Sequence, residues 1–199
     1  LESLTNDRVR IALERSAVLP EGEWVVGVPG ATIVMAAFLH AAPGGGRFNA
    51  PQLGAWYGAR DLQTAIRETI YHHSRRLAAS DLGFDATITM RELVTTLDAR
   101  LVDLRGRHVQ QPALYHPDDY TVAQQFGEAC RARGDIGIVW TSVRRSTGEC
   151  VVIYRPRALL PVTQGRHLEY RWHGRPEPEV LQLESVGSTE PETPRLKAI

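Results

Sequence analysis

One helix pattern constrains the fold more strongly than any other feature of this sequence. It begins after Asp61, a residue type that caps helix N-termini, and continues to about residue 79. Through it, apolar and small side chains recur at the spacing of one helical face. That face consists of Leu62, Ala65, Ile66, Thr69, Ile70, His73 and Leu77. Because such a stripe must be buried, the pattern predicts a long helix packed against other elements.

A second helix is predicted between residues 118 and 134. Asp118 or Asp119 can cap its start, and Gly134 can end it in a left-handed conformation. Its predicted buried stripe is Val122, Phe126, Ala129 and Cys130. A further helix is predicted for residues 3–17, where Thr5 or Asn6 can act as the cap.

Most of the remaining patterns are typical of β-strands. Strands are predicted near residues 24–26, 31–39, 54–58, 84–90, 97–104, 135–142, 150–154, 167–172 and 180–186. The continuous apolar run 31–39 favours a strand buried on both faces, and it also admits a helical segment. Since the two clear helices separate groups of strands, the sequence predicts an α+β fold and not a doubly wound sheet.

Composition excludes several classes of protein. The 199 residues carry 23 Lys+Arg and 23 Asp+Glu, so no net field attracts nucleic acid or an anionic membrane. Cys130 and Cys150 lie outside any C-x-x-C motif and are predicted to be buried, reduced side chains. The first residues show no basic region followed by an apolar segment, and no apolar run is long enough for a membrane span. We therefore expect no signal peptide, no membrane span and a cytoplasmic protein.

Four chemically distinct side chains fall within a short central stretch. A run of three glycines leads to Arg47, a predicted strand carries Tyr57, and the long helix carries Glu68 and His72 one turn apart. A guanidinium following flexible glycines can clamp a phosphate or carboxylate. The set suits an anionic, nucleotide-like substrate whose sugar bond is broken. Each residue also has a simpler reading, namely a solvated arginine, a core tyrosine or a surface glutamate.

Other catalytic patterns are missing from the sequence. The glycine run is not followed by G-K-[ST], so a P-loop is unsupported. His72 and His73 do not belong to an H-E-x-x-H motif, and no metal site is predicted. Ser142 ends a predicted strand without a G-x-S-x-G elbow, which disfavours a serine hydrolase.

Taken together, these residues resemble the RES domain, a bacterial family named for an arginine, a glutamate and a serine. The resemblance rests on four segments in order, which are Gly46-Arg47-Phe48-Asn49, Trp56-Tyr57-Gly58-Ala59, the helix with Thr64-Ala65, Glu68 and His72, and the strand Gly137 to Ser142 followed by Arg144. It covers residues from about 31 to 172. We therefore predict a RES-like catalytic domain at 31–173, preceded by the N-terminal helix and a connection at 1–30. Since Pro, Glu and Ser dominate from Gly174 onward, residues 174–199 are predicted to be a loosely ordered tail.

The resemblance implies an ADP-ribosyltransferase-like fold, with a mixed or antiparallel β core and flanking helices. It further implies the toxin of a toxin–antitoxin pair, which cleaves the nicotinamide–ribose bond of NAD. NAD is then a substrate, inorganic phosphate is a candidate co-substrate, and no cofactor or metal is expected. The implied partner is a DNA-binding, Xre-like antitoxin. The chain is expected to form a homo-oligomer or a toxin–antitoxin complex. Phosphate, water and a protein side chain all stay open as acceptors, and so does a non-catalytic binding module.

The resemblance also assigns roles to residues of this chain. Arg47 would bind phosphate, and Glu68 would bond a ribose hydroxyl near the developing cation. His72 would orient that carboxylate or help to place the acceptor. Tyr57 would stack on nicotinamide or bond the ribose, and Ser142 would position ribose or the nucleophile. The residues expected to contact substrate as well are Asn49, Trp56 and Arg144. The family's additional N-terminal arginine has no counterpart at residues 28–31.

Overall fold

A computed structural model describes residues 14, 17, 19–81, 83–159, 161–184 and 196–198. The fold is mixed α+β, as predicted. Its α-helices, numbered here over the described residues, are α1 (Ala31–Leu39), α2 (Leu62–Ala78) and α3 (Thr121–Arg133). Its strands are β1 (Trp56–Ala59), β2 (Asp85–Thr95), β3 (Val102–Asp103), β4 (Gly137–Thr141), β5 (Glu149–Ile153), β6 (Val162–His173), β7 (Glu179–Leu183) and β8 (Leu196–Ala198). No helix in the described ranges is long and apolar enough to cross a membrane.

The chain divides into two compact units, each built from two separate stretches of sequence. The first comprises Leu1–Thr64 and Thr95–Val162, and the second comprises Ala65–Val94 and Thr163–Ile199. Neither unit coincides with the predicted division at residues 30 and 173, which stays a prediction.

The first unit is built on a four-stranded mixed sheet of order β1-β5-β4-β3. Strand β5 pairs antiparallel with both β1 and β4, whereas β3 runs parallel to β4. One core cluster of this unit includes Phe48, Ala123, Trp140 and Tyr154, and a second includes Phe38 and Trp56. Since Trp56 and Tyr57 are neighbours on β1, their side chains point to opposite faces of the sheet.

The second unit contains most of α2 and a four-stranded sheet of order β2-β6-β7-β8. On β6 the alternate residues Leu168, Tyr170 and Trp172 are buried. The hydroxyls of Thr69 and Tyr170 lie 2.9 Å apart, and the Trp172 indole donates to Ser74 Oγ at 3.0 Å. These hydrogen bonds fix the register of α2 on this sheet.

Several predicted elements are confirmed. Helix α2 starts beside Asp61, which accepts a hydrogen bond from the Thr64 amide at 2.9 Å as an N-terminal cap should. Helix α3 ends at Gly134, whose φ of 90° is left-handed. Both cysteines are buried and neither forms a disulfide bond. The hairpin of β4 and β5 and the long strand β6 are also present.

Other predictions are wrong. Residues 31–39 form helix α1 and not a strand, because alanines spread through the run favour a helix that buries one face only, formed by Val34, Met35 and Phe38. Residues 24–26 follow a 3₁₀ turn and form no strand, and the predicted strand 97–104 shrinks to β3. The stripe on α3 is displaced, since Val122 is 47% exposed while Ala123, Gly127 and Cys130 are buried.

Two predictions at the chain ends are only partly covered. Of the helix expected at 3–17, only residues 14 and 17 are described, and both are helical. The strand expected at 180–186 is present as β7, and residues 185 and 186 lie outside the described part.

The environment of His73 on α2 predicts a pH-dependent stability for the second unit. The His73 ring lies edge-on to Tyr170 and Trp172, at centroid distances of 6.5 and 6.2 Å. Its Nδ1 is buried without a hydrogen-bond partner. Burial, together with the positive charge of Arg76, lowers the pKa of His73 below its ordinary value.

We expect the neutral variant His73→Gln to lose less stability than the wild type when the pH falls from 7.5 to 5.5. Because the folded-state pKa lies below the unfolded value, the unfolded chain takes up the proton first, and the wild type loses stability as pH falls below about 6.5. Above that pH His73 is neutral in both the folded and the unfolded state, and it no longer makes the stability depend on pH. Urea unfolding at both pH values measures it, with the exposed His167→Gln as control. Identical pH dependence in His73→Gln and wild type would contradict the assignment.

Candidate functional site

Arg47 lies at the tip of a tight turn. The Gly46 amide donates to the Asn49 carbonyl at 3.0 Å, so Arg47 and Phe48 are the central residues of a four-residue turn. Gly45 immediately precedes it with a left-handed φ of 72°. A Cβ on Gly46 would lie 2.6 Å from the Tyr57 hydroxyl. These two glycines are therefore needed for close approach of the chain's own groups, Tyr57 and Asn49.

The Arg47 side chain is buried, with 7% of its surface exposed. Its Nη1 donates to the carbonyls of Leu114 and His116, at 3.1 and 2.8 Å. The guanidinium carbon lies 4.6 Å from the centre of the Tyr120 ring, a cation–π contact. These two bonds and the Tyr120 ring fix the orientation of the guanidinium. The fixed guanidinium suits recognition of an anion.

Tyr57 is the centre of the hydrogen bonds around the turn. Its hydroxyl accepts from the Phe48 amide at 2.8 Å and donates to Asn49 Oδ1 at 2.8 Å. Burial of the hydroxyl raises the pKa of Tyr57 well above its ordinary value, although the bond from Phe48 opposes this effect. The residue as a whole is nevertheless 39% exposed. Part of Tyr57 thus reaches solvent although its hydroxyl is held by the turn.

Asn49 and Trp56 are buried next to the Arg47 turn and in the core, respectively. Asn49 is 2% exposed, and its amide donates to the carbonyls of Ala50 and Leu53 while its oxygen accepts from Tyr57. Trp56 is 8% exposed within a core cluster. Asn49 thus supports Tyr57, and Trp56 packs beneath β1; the contact of both residues with substrate stays a prediction.

Ser142 shapes the turn after β4. Its Oγ accepts hydrogen bonds from the amides of Arg144 and Arg145, both at 3.0 Å. Arg144 in turn donates to the Pro117 carbonyl. Arg47 and Arg144 therefore bind carbonyls of the same segment, residues 114–117. The structure brings these two predicted site residues to a common partner within the first unit.

The contacts of Arg145 with Asp61 and Thr64 were not predicted from the sequence. Arg145 Nη1 lies 3.1 Å from both oxygens of Asp61 and donates to Thr64 Oγ1 at 2.8 Å. The amide of Thr64 and the charge of Arg145 lower the pKa of Asp61. The start of α2 is thus tied to the turn that Ser142 closes. The only local signal for this was the pair of arginines after Ser142.

Glu68 and His72 belong to the second unit. Both lie on α2 one turn apart, as predicted; Glu68 is half-buried and His72 is exposed. The His72 ring lies 5.2 Å from that of Tyr71. Among the described residues, no three His, Cys, Asp or Glu side chains form a group that could hold a metal ion.

Comparison with known proteins identifies the family of the chain. The family model described as the RES domain matches residues 23–173, well over half of the chain. This match confirms the resemblance seen in the sequence. RES domains are associated with toxin–antitoxin systems. The comparison with curated proteins found no match.

We expect Tyr57→Phe to destabilise the protein by about 1–3 kcal/mol, because it leaves the Phe48 amide and Asn49 Oδ1 buried without their shared partner. Tyr71→Phe removes a hydroxyl that serves an exposed contact with Arg75, and it should cost about 0.5 kcal/mol or less. Denaturant unfolding of both variants makes the comparison. Equal losses would show that the Tyr57 hydroxyl does not hold the turn.

Proposed function

Because the chain belongs to the RES domain family, we propose that it cleaves the nicotinamide–ribose bond of NAD as the toxin of a toxin–antitoxin pair. The observation that supports this best is the Arg47 turn, where a cation is held by carbonyls near the partly exposed residue Tyr57. An oriented cation and a stacking surface are what a dinucleotide requires. An ADP-ribosyltransferase-like fold is part of the proposal, and the mixed sheet of the first unit is compatible with it.

The reaction makes particular demands on the protein. The C1′–N bond breaks, the bonding pair leaves with the pyridinium nitrogen, and neutral nicotinamide departs. The ribose passes through an oxocarbenium-like state, which phosphate or water then attacks at C1′. Since the leaving group takes up the electron pair without needing a proton, the protein contributes orientation and electrostatic stabilisation.

The residues of this chain divide these tasks. Arg47 binds a phosphate oxygen, and Tyr57 stacks on the nicotinamide or bonds the ribose. Glu68 accepts a hydrogen bond from a ribose hydroxyl and stabilises the developing positive charge, while His72 orients that carboxylate. Ser142 positions the ribose or the acceptor, and its bonds to the Arg144 and Arg145 amides set the direction of both arginines.

The proposed setting follows from the family. The antitoxin is a DNA-binding protein that covers the active site, and this chain itself contacts no nucleic acid, in keeping with its zero net charge. The proposed compartment is the cytoplasm, and the proposed substrate is NAD. A second candidate, transfer of ADP-ribose to a protein side chain, uses the same bond cleavage and differs only in the acceptor.

Incubating the pure protein with NAD, with and without inorganic phosphate, tests the proposal. Mass analysis should find free nicotinamide together with either ADP-ribose 1″-phosphate or ADP-ribose. The same mass appearing on a protein added from the host would instead support transfer to a side chain. Intact NAD under every condition would rule out cleavage and leave a binding module.

We expect Glu68→Gln to fold normally and to consume NAD about a hundredfold more slowly, because the neutral amide cannot stabilise the ribose cation. The matched control is Glu177→Gln, which removes a carboxylate that forms an exposed ion pair with Arg67. NAD turnover and melting temperature are measured for both. Full turnover in Glu68→Gln would remove Glu68 from the mechanism.

A further inference from the structure

We propose that Gln124 is a positioning residue that holds the Arg47 turn in its active geometry. Its Nε2 donates to the Gly44 carbonyl at 2.8 Å and to the Gly46 carbonyl at 3.0 Å. These two carbonyls flank Gly45, the residue with a left-handed φ. The side-chain amide therefore bridges the bend that delivers Arg47. The catalytic consequence of this role rests on the proposed function, whereas the structural role does not.

Gln124 lies on a face of α3 that contacts the backbone of residues 44–50 at several points. Four residues after Gln124, Glu128 Oε1 accepts from the Ala50 amide at 3.0 Å. Between them, a Cβ on Gly127 would lie 2.0 Å from the Phe48 carbonyl oxygen, so the helix and the turn are in direct contact there. Residues three and four apart share a helical face. The face thus holds the turn before Arg47, beside it and after it.

The groups of the turn that Gln124 and Glu128 bind are backbone groups, so these contacts determine the position of the main chain. Backbone groups do not change with the side chains of the turn, so the contacts set where the main chain lies. The far end of Arg47 is held separately by the carbonyls of Leu114 and His116. If the main chain at 44–46 shifts, the guanidinium must leave these carbonyls or take another rotamer.

The test replaces Gln124 by Glu, which keeps the shape but cannot donate to either carbonyl when ionised. Gln125→Glu is the matched control, since it adds the same charge one position along α3 on an exposed side chain. Gln124→Met removes the donors without adding charge. Melting temperature is measured for each variant.

Hydrogen exchange tests positioning independently of any activity. The amides of Gly46 and Phe48 are protected by bonds within the turn and to Tyr57. We expect them to exchange about tenfold faster in Gln124→Glu and Gln124→Met than in Gln125→Glu, because two hydrogen bonds on the turn are lost. Unchanged exchange of these amides in both Gln124 variants would overturn the proposal.

Kinetics with NAD then separate positioning from general damage. Phosphate binding by Arg47 acts on ground state and transition state alike, so we expect KM to rise about tenfold with kcat within about twofold. A lower kcat at unchanged KM would indicate a smaller folded fraction and contradict the positioning role. Absence of turnover in the wild type would refute the proposed function, and the exchange experiment would still decide the role of Gln124.

Discussion

Two tyrosine hydroxyls hold the peptide groups of Phe48, and the rest of the site depends on these bonds. The Phe48 amide donates to the Tyr57 hydroxyl at 2.8 Å, and the Phe48 carbonyl accepts from the Tyr154 hydroxyl at 2.9 Å. Tyr57 lies on β1, and Tyr154 directly follows β5, its antiparallel neighbour. The Phe48 ring packs edge-on against Trp140 on β4 at 4.9 Å. Three adjacent strands therefore fix one residue of an otherwise short, glycine-rich turn.

Burial of so many polar groups is tolerable only because they satisfy one another. An unpaired buried amide or carbonyl costs about 1–3 kcal/mol, so each partner around the turn constrains the next. Asn49 uses its oxygen on Tyr57 and its amide on the carbonyls of Ala50 and Leu53. Arg47 emerges from this network already oriented. A site that must meet an anion in a fixed geometry gains from such preorganisation, since no rearrangement is needed on binding.

Sequence patterns predicted the elements with strong local signals and missed what depends on distant partners. The Asp61 cap and the periodic stripe define α2 locally, so its start and length were predicted correctly. The run 31–39 is so continuously apolar that its periodicity does not distinguish helix from strand, and its alanines together with the burial of one face make it a helix. Arg47, Tyr57 and Ser142 were identifiable by type and spacing. Nothing near them in the sequence indicates that Leu114 and His116 bind Arg47, or that Gln124 lies against Gly45.

The interleaved division of the chain has a consequence for how the protein is made. Strand β1 emerges from the ribosome long before its partner β5, and Trp56 pairs with Ile153 only after the whole of residues 65–94 has been synthesised. During that interval Tyr57 has no partner strand beside it, and the glycine-rich turn lacks the Tyr154 hydroxyl that binds the Phe48 carbonyl. A chain that stops before β5 therefore lacks the partner strand of β1 and the Tyr154 hydroxyl, and the Arg47 turn is not held in its folded geometry.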